Sequence, residues 1–305
     1  MCYWVILARR NLLLQYYSAS LLAAVDPWGS PRAGHSLPST AIKTPLRSLA
    51  HCELTSDEID RLYGYLSVSE YLAPNALYRL HEALGLLASA LVVPINSEYS
   101  NFVSGLIHAW EGILAGHSQR ALVSCGVNWT AHMDYTQGHS ICIGDGAGAT
   151  VVGKNAPWCF VDYATETRGS LYGAMTMKTR TLAHDAEQIK TVYRIEPTSG
   201  IQSYGNDGRE GPVRLIKQLL ERHHIASSAI ALFTHQASRA LLDHWNERLS
   251  PGHLYDTLKN YGNMTSATIA VNLSHYWQDI SEEYMVLHAL GVGFHQTAVL
   301  LRRAS

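Results

Sequence analysis

The chain has 305 residues, of which 47% are hydrophobic and 16% are charged, and its formal net charge is −2. This length and balance predict a soluble globular protein with a large core, built as one α/β unit or as two packed halves. The near-neutral charge and the lack of a Lys/Arg cluster argue against a surface that binds nucleic acid.

Five cysteines are scattered without C-x-x-C spacing, so the sequence indicates neither a disulfide framework nor a zinc site, and no metal is expected. A cytoplasmic location is the expectation. The first 25 residues are apolar, but Arg9 and Arg10 interrupt them, and the run before these arginines is too short to span a membrane. We expect a first strand and helix there, or a start that truncates an N-terminal element, and no membrane role.

Apolar periodicity and turn residues divide the first half into alternating elements. They predict a helix at 41–51, a capping box at 55–58, a strand at 61–66, a helix at 73–86, a buried strand at 90–95, a helix at 102–113 and a strand at 120–127. Gly116 follows the last of these helices as a C-terminal cap would. The alternation predicts a parallel-type sheet covered by helices.

The second half repeats this order more loosely. It has predicted helices at 209–223, 237–249 and 264–276, and predicted strands at 229–234, 284–290 and 296–301. The intervening segment is irregular and strand-prone, and we interpret it as a cap or a specificity insertion. The predicted organisation is therefore a first half (1–154), an insertion (155–208) and a second half (209–305), with an internal duplication.

The stretch INSEYSNFVSGL at 95–106 lies between a β-branched run and an apolar-periodic helix. This pattern predicts a strand-to-helix elbow, which presents a nucleophile at a helix N-terminus. Tyr99 stands where the nucleophile is expected.

Three further segments carry polar groups beside predicted strands and helices. THQAS at 234–238 puts His235 at the carboxyl end of a buried strand, where sites of α/β proteins collect. YGNMTSA at 261–267 puts Asn263 just before a helix, where an asparagine also serves as an ordinary cap. GDGAG at 144–148 is a weak signal alone, because glycines at the start of a strand commonly permit tight packing.

Together these segments resemble the thiolase superfamily and, within it, the β-ketoacyl-ACP synthase III-like condensing enzymes. That family carries a GDGAGA strand, a P-H-Q-A-N motif, a Y-G-N-T-S-A motif and a closing G-x-G-F; here they read GDGAGAT, FTHQAS, YGNMTSA and LGVGF, collinear over roughly 55–302. The resemblance implies an α/β thiolase fold, with duplicated halves in a five-layered αβαβα sandwich, and a dimer.

The family elbow reads A-C-x-G-F, with the nucleophilic cysteine three residues before the phenylalanine. Phe102 sets the register here, so Tyr99 occupies the cysteine position and Asn101 the glycine position. The resemblance assigns to His235 and Asn263 the hydrogen bonds to a thioester oxygen that stabilise the enolate after decarboxylation. It implies an acyl thioester of CoA or of an acyl carrier protein as substrate, with no cofactor.

Tyrosine is a poor replacement for the thiolate, since its phenol has a pKa of about 10 and its ring fills space that the acyl chain uses in the family. Four hypotheses follow. The chain transfers an acyl group directly with His235 as base; it is a non-catalytic subunit beside an active homologue; Tyr99 is a general acid or positioning group; or Ser97 or Ser100 is a displaced nucleophile.

Further residues are predicted to contact substrate. Ser97, Ser100 and Phe102 belong to the elbow, and Gly291 and Gly293 to the closing G-x-G-F turn. Trp28 and Arg32 invite comparison with a family W-x-x-x-R loop that grips the adenine and phosphate of CoA, although a loop tryptophan is as easily a packing anchor.

The expected function is an acyl-thioester-dependent acyltransferase or condensing-type enzyme of specialised, polyketide- or fatty-acid-like metabolism. It would lack the usual cysteine nucleophile and work through His235 and Asn263 without a covalent acyl-enzyme, as a homodimer. The alternative is a non-catalytic subunit of a heterodimer with an active homologue. The acyl chain and its acceptor cannot be read from the sequence.

Overall fold

The computed structural model describes residues 12–20, 39–67, 69, 71, 73–133, 141–154, 156–180, 190–196 and 198–304. The strands are β1 (Leu12–Ser20), β2 (Arg61–Ser67), β3 (Leu91–Pro94), β4 (Arg120–Val127), β5 (Gly146–Lys154), β6 (Trp158–Thr167), β7 (Met175–Arg180), β8 (Lys190–Ile195), β9 (Ile230–Thr234), β10 (His253–Tyr255), β11 (Tyr284–Gly291) and β12 (His295–Arg303). The α-helices are α1 (Ser39–His51), α2 (Leu77–Ala83), α3 (Asn101–Leu114), α4 (Ser199–Gln202), α5 (Arg209–Arg222), α6 (Arg239–Leu249), α7 (Leu258–Tyr261) and α8 (Thr268–Tyr276).

Ten strands form one sheet, in the order β10-β9-β11-β12-β6-β1-β5-β4-β2-β3. Each half has the same plan from its outer edge inwards: three parallel strands, then two strands that are each antiparallel to the neighbour before. The halves meet where β1 pairs with β6. This repeated strand order confirms the predicted duplication.

The helices form three layers around the two half-sheets. α3 packs on β2 and β4 of the first half and on β11 and β12 of the second, and α8 likewise contacts strands of both halves. β9 shows why helices cover both faces of the sheet. Successive side chains along a strand point to opposite faces, so each face of β9 buries its own set of apolar residues. Phe233 joins the core around α3 and α8, whereas Ile230 and Leu232 pack with α5 and α6. With α1 and α2 on the outer face of the first half-sheet, the five αβαβα layers are complete.

Two expectations about the sheet need correction. The sheet is mixed rather than parallel, because β5 pairs antiparallel with β4 and β12 pairs antiparallel with β11. The strand predicted to be buried at 90–95 is the edge strand β3, in which Leu91 is 50% exposed.

Several helix boundaries also differ from the prediction. The helix expected at 73–86 is the shorter α2, since Pro74 precedes it and the Asn75 side chain accepts a hydrogen bond from the Leu77 N–H at 3.0 Å. The helix expected at 264–276 begins as a 3₁₀ turn at Thr265–Ala267 before α8. The predicted capping box is present, with the Glu58 carboxylate accepting from the Thr55 N–H at 3.0 Å.

The segment 155–208 is not uniformly irregular. It supplies β6 to the main sheet, the separate antiparallel hairpin β7–β8, and α4 with a following π-helical turn. β6 occupies in the second half the place that β1 occupies in the first. The division of the chain at residues 154 and 208 stays a prediction.

Within the described residues, no helix is both long enough and apolar enough to cross a membrane.

Candidate active site

The elbow between β3 and α3 is held by the main chain. The Ile95 N–H donates to the Gly64 carbonyl at 2.7 Å, and the Val292 N–H donates to the Glu98 carbonyl at 3.2 Å. Glu98 and Tyr99 have φ angles of 46° and 87°, in the left-handed region that non-glycine residues rarely adopt. Such backbone strain persists only where the surroundings impose it, and it often marks a functional site.

Tyr99 lies at the tip of this elbow. Its N–H donates to the Asn101 side-chain oxygen at 3.0 Å. Its ring stacks on the ring of His235, with centroids 6.4 Å apart and planes 6° apart, and meets Trp129 edge-on at 5.8 Å. The structure therefore brings Tyr99 and His235 together, although 135 positions separate them in the sequence.

His235 follows β9 and is 3% exposed. The main-chain N–H of His235 donates to the main-chain carbonyl of His288 at 2.9 Å, which continues the β9–β11 pairing. Burial lowers the pKa of His235 to about 4, so the imidazole is neutral near pH 7. A neutral imidazole offers one N–H donor and one acceptor nitrogen.

Asn263 lies at the matching point before α8, 7% exposed. Its main-chain N–H donates to the Cys142 carbonyl at 2.5 Å, and its main-chain carbonyl accepts from the Gly144 N–H at 3.0 Å. The side-chain oxygen accepts from the Thr265 N–H at 2.9 Å, which leaves the side-chain NH₂ as the donor for a ligand.

Gln236 connects the histidine loop with the asparagine loop. Its side-chain NH₂ donates to the Gly262 carbonyl at 2.6 Å, and its side-chain oxygen accepts from the Thr257 N–H and the Asn272 amide. Gln236 is fully buried, so these bonds are shielded from water and fix the spacing of His235 and Asn263. The THQAS motif contained this residue, but only the fold gives it a positioning role.

Behind His235, a row of polar groups runs through the sheet. His288, fully buried, contacts the Thr234 hydroxyl at 2.8 Å and the Gln296 side chain at 3.4 Å. Gln296 in turn donates to the Glu166 carboxylate at 2.9 Å. Burial lowers the pKa of His288 to about 3, so this imidazole is also neutral near pH 7.

The GDGAG motif serves close packing around the site. A Cβ on Gly144 would lie 2.1 Å from the Tyr261 carbonyl, so glycine lets the asparagine loop approach. Asp145 accepts from the Thr130 N–H at 3.0 Å, and burial raises the pKa of its carboxyl group.

The predicted substrate-binding residues lie in different surroundings. Ser97 is half-buried and donates to the Ser104 hydroxyl at 3.0 Å, whereas Ser100 is fully buried and contacts the His295 imidazole and the Ser97 carbonyl. Phe102 is 1% exposed in the central core. Of the two serines considered as a displaced nucleophile, only Ser97 has exposed surface.

The closing turn packs against the elbow. A Cβ on Gly291 would lie 2.2 Å from the Glu98 carbonyl, and Gly293 has a φ of 80° and lines the cleft described next. Trp28 and Arg32 lie outside the described residues. The contact roles of these residues stay predictions.

Tyr99 lines a cleft of about 380 Å³. Its aromatic lining consists of Tyr65, Tyr99, Trp129 and Tyr172. Glu98, Asn96 and Asn101 from the elbow also line it. Sequence reasoning missed Tyr65, Trp129 and Glu98, because their shared surface is formed by three separate segments: strand β2, the 3₁₀ turn after β4 and the elbow.

The described cysteines are not activated thiols. Burial raises the pKa of Cys52 and of Cys125 to about 12, and it also raises the pKa of Cys142 and of Cys159. Thiols with raised pKa values are poor nucleophiles. Among the described residues, no group of three His, Cys, Asp or Glu side chains is placed to hold a metal ion.

Two family models match the chain. The model described as 3-oxoacyl-[acyl-carrier-protein (ACP)] synthase III matches residues 94–169, and the model for the C-terminal part of that enzyme matches residues 220–303. Together they span more than half of the chain and contain the elbow, the histidine motif and the asparagine motif.

Individual relatives agree with these matches. The chain is 26% identical over 273 residues to a β-ketoacyl-[acyl-carrier-protein] synthase III of Campylobacter jejuni, covering 85% of this chain and 81% of the relative. It is 24% identical over 314 residues to the protein of the same name from Gloeobacter violaceus, covering 96% and 94%.

Solved structures show the same fold. The 3-oxoacyl-(acyl carrier protein) synthase III of Pseudomonas aeruginosa superposes with a TM-score of 0.84 at 19% identity, over 97% of this chain and 99% of that one. The priming β-ketosynthase of the R1128 polyketide pathway superposes with a TM-score of 0.80 at 18% identity, over 97% of each chain. The predicted thiolase fold is thereby confirmed.

Proposed function

Because the chain belongs to the 3-oxoacyl-[acyl-carrier-protein] synthase III family, we propose that it is an acyl-thioester-dependent acyltransferase or condensing-type enzyme of polyketide- or fatty-acid-like metabolism. It acts through His235 and Asn263 without a covalent acyl-enzyme. The observation that carries this proposal is the pairing of the two loops by buried Gln236, with a free donor on Asn263.

The two side chains suit stabilisation of an oxyanion. A thioester oxygen gains negative charge as its carbonyl is attacked or as an enolate forms next to it, and fixed hydrogen-bond donors in a dry site stabilise that charge. Neutral His235 and the NH₂ of Asn263 are such donors. With a pKa of about 4, His235 is a weak base, so we assign it the role of donor ahead of the role of base.

The proposal includes no covalent step because Tyr99 occupies the tip of the elbow, where a nucleophile is expected. Its phenol is a weak nucleophile near pH 7, since an ordinary tyrosine has a pKa of about 10. Its ring stacks on the ring of His235 and also lines the cleft, whose lining does not include His235. A thioester therefore reaches His235 and Asn263 when the Tyr99 ring turns aside.

The test combines turnover with intact-mass analysis. The chain is incubated with a panel of acyl-CoA and acyl-carrier-protein thioesters, and thiol release is measured for wild type, His235→Ala and Asn263→Ala. We expect turnover without a mass adduct, and a loss of about 100-fold or more in each variant. The exposed His117→Ala serves as control. An acyl adduct on Tyr99, Ser97 or Ser100 would contradict the non-covalent route.

A second candidate function is that of a non-catalytic subunit in a heterodimer with an active homologue. The burial of His235 favours it, because this side chain is 3% exposed and lies against the Tyr99 ring. Under this proposal, the chain alone turns over none of the thioesters and activity appears only beside a cysteine-bearing homologue.

Under the first proposal the chain forms a homodimer, so sedimentation gives about twice 33.7 kDa for the isolated chain.

A further inference from the structure

The cleft beside Tyr99 has aromatic walls. Trp129 meets Tyr99 edge-on, and Tyr65 and Tyr172 complete the aromatic part of the lining. Its volume of about 380 Å³ is in the range of small-molecule sites. Tyr172 is 80% exposed, so a ligand that covers it removes a large apolar surface from water.

One carboxylate accompanies these rings. Within the described part of the chain, Glu98 is the only charged side chain that lines the cleft. Its main chain is fixed by bonds from its N–H to the Asn96 side chain at 3.3 Å and from the Val292 N–H to its carbonyl at 3.2 Å. The side chain is exposed, and among the described residues its carboxylate forms no hydrogen bond or ion pair.

The charge of Glu98 acts on the cleft itself. The pKa of Tyr65 is raised, first by burial and next by the negative charge of Glu98, which places that carboxylate near the Tyr65 phenol. Anionic groups such as phosphate or carboxylate would meet repulsion here. Aromatic faces and a carboxylate both attract a cation.

We propose that this cleft binds the ammonium group of an organic amine, whose apolar or aromatic body lies against the rings. Glu98 supplies the counter-charge, and Tyr65, Trp129 and Tyr172 supply the π faces. The assignment of this amine as a substrate rests on the proposed function; its binding does not require turnover.

Calorimetric titration with three matched indoles tests the proposal. Tryptamine carries an ammonium group, tryptophol a neutral hydroxyl and indole-3-acetate a carboxylate on the same ring system. We expect tryptamine to bind about tenfold more tightly than tryptophol, and indole-3-acetate to bind most weakly, because an ammonium group gains both the ring contacts and the ion pair.

Glu98→Gln should lower the affinity for tryptamine about tenfold, to the level of tryptophol, with the same melting temperature as wild type. Glu247→Gln, which changes an exposed glutamate on α6, is the matched control and should leave all three affinities unchanged. Equal binding of the three indoles, tighter binding of indole-3-acetate, no binding of any of them, or an unchanged preference in Glu98→Gln would each overturn the proposal.

The thioester assay separates this result from the proposed function. A chain that turns over thioesters but does not prefer tryptamine contradicts the ligand class alone. A chain that prefers tryptamine but turns over no thioester contradicts the enzymatic proposal alone.

Discussion

At the scale of single residues, the sequence predicts Tyr99, His235 and Asn263 as the residues of the site, and the structure brings Tyr99 and His235 into contact. Phe102 set the register of the elbow, and two short motifs identified the other two residues. The stacking of Tyr99 on His235 was not predictable, because it depends on how two loops from different halves meet. The buried supports Gln236 and His288 were missed for the same reason.

Tyr99→Cys should introduce a covalent step. A thiol at the N-terminus of α3 is favoured as thiolate by the helix dipole and the free N–H groups, and it is far more nucleophilic than a phenol. We expect intact-mass spectra to show one acyl group added after incubation with an acyl-CoA. Tyr99→Phe is the control and should show none, and a folded Tyr99→Cys variant without an adduct would contradict the assignment of this position.

The buried histidines should make stability fall in acid. His235 and His288 have pKa values of about 4 and about 3 in the folded protein, below the value of about 6.5 for an unfolded histidine. The unfolded chain therefore takes up protons first as the pH falls below about 6.5, and each histidine removes roughly 3 kcal/mol of stability by about pH 4.

Urea unfolding at about pH 7.5 and about pH 4.5 measures this loss. His288→Gln retains a group that can bond to Thr234 and should lose less stability than wild type between these two pH values. The exposed His117→Gln should lose as much as wild type. If the loss in His288→Gln equals that of wild type, His288 is not a source of the acid sensitivity.

At the scale of elements, most strands and helices followed from periodicity, since an amphipathic pattern reports which face is buried. The predictions were wrong where tertiary contacts determine the burial of a strand or the first residue of a helix. The segment that forms the edge strand β3 was predicted to be a buried strand. α8 was predicted to begin four residues before its first residue, because a 3₁₀ turn bonded to the Asn263 side chain precedes it. β5 was recognised as glycine-rich, but which of its glycines the packing requires is visible only in the fold.

Gly148→Ala should destabilise the protein, because a Cβ there would lie 2.1 Å from the Ala270 Cβ where α8 crosses β5. Overpacking of this kind costs about 1–3 kcal/mol. Gly153→Ala on the same strand is the matched control, since its nearest neighbours are 3.5 Å away. Urea denaturation midpoints compare the two, and equal midpoints would show that α8 can move away from β5.

At the scale of the whole molecule, the motif order predicted the duplicated α/β sandwich. The pairing of β6 with β12 was not predictable, because more than a hundred residues separate the two strands and no local pattern reveals such a distant partner. The cleft was likewise invisible in the sequence, since its walls come from separate segments.

The two halves should not fold independently. The central core joins Phe102 and Leu106 of α3 to Ile269 and Leu273 of α8 and to Leu287 of β11, so either half alone exposes a large apolar surface. We expect fragments 1–154 and 155–305, expressed separately, to lack a cooperative urea transition, and the co-expressed pair to show one. A cooperative transition in one isolated fragment would contradict a shared core.

The elbow is anchored by main-chain atoms, through the bonds of Ile95 to Gly64 and of Val292 to Glu98. Every residue type has these atoms, so the anchoring does not depend on the side chain at position 99. A tyrosine codon becomes a cysteine codon by a single nucleotide change. One mutation at position 99 can thus add or remove a covalent step. Because the main chain holds the elbow, selection for folding does not oppose such a mutation.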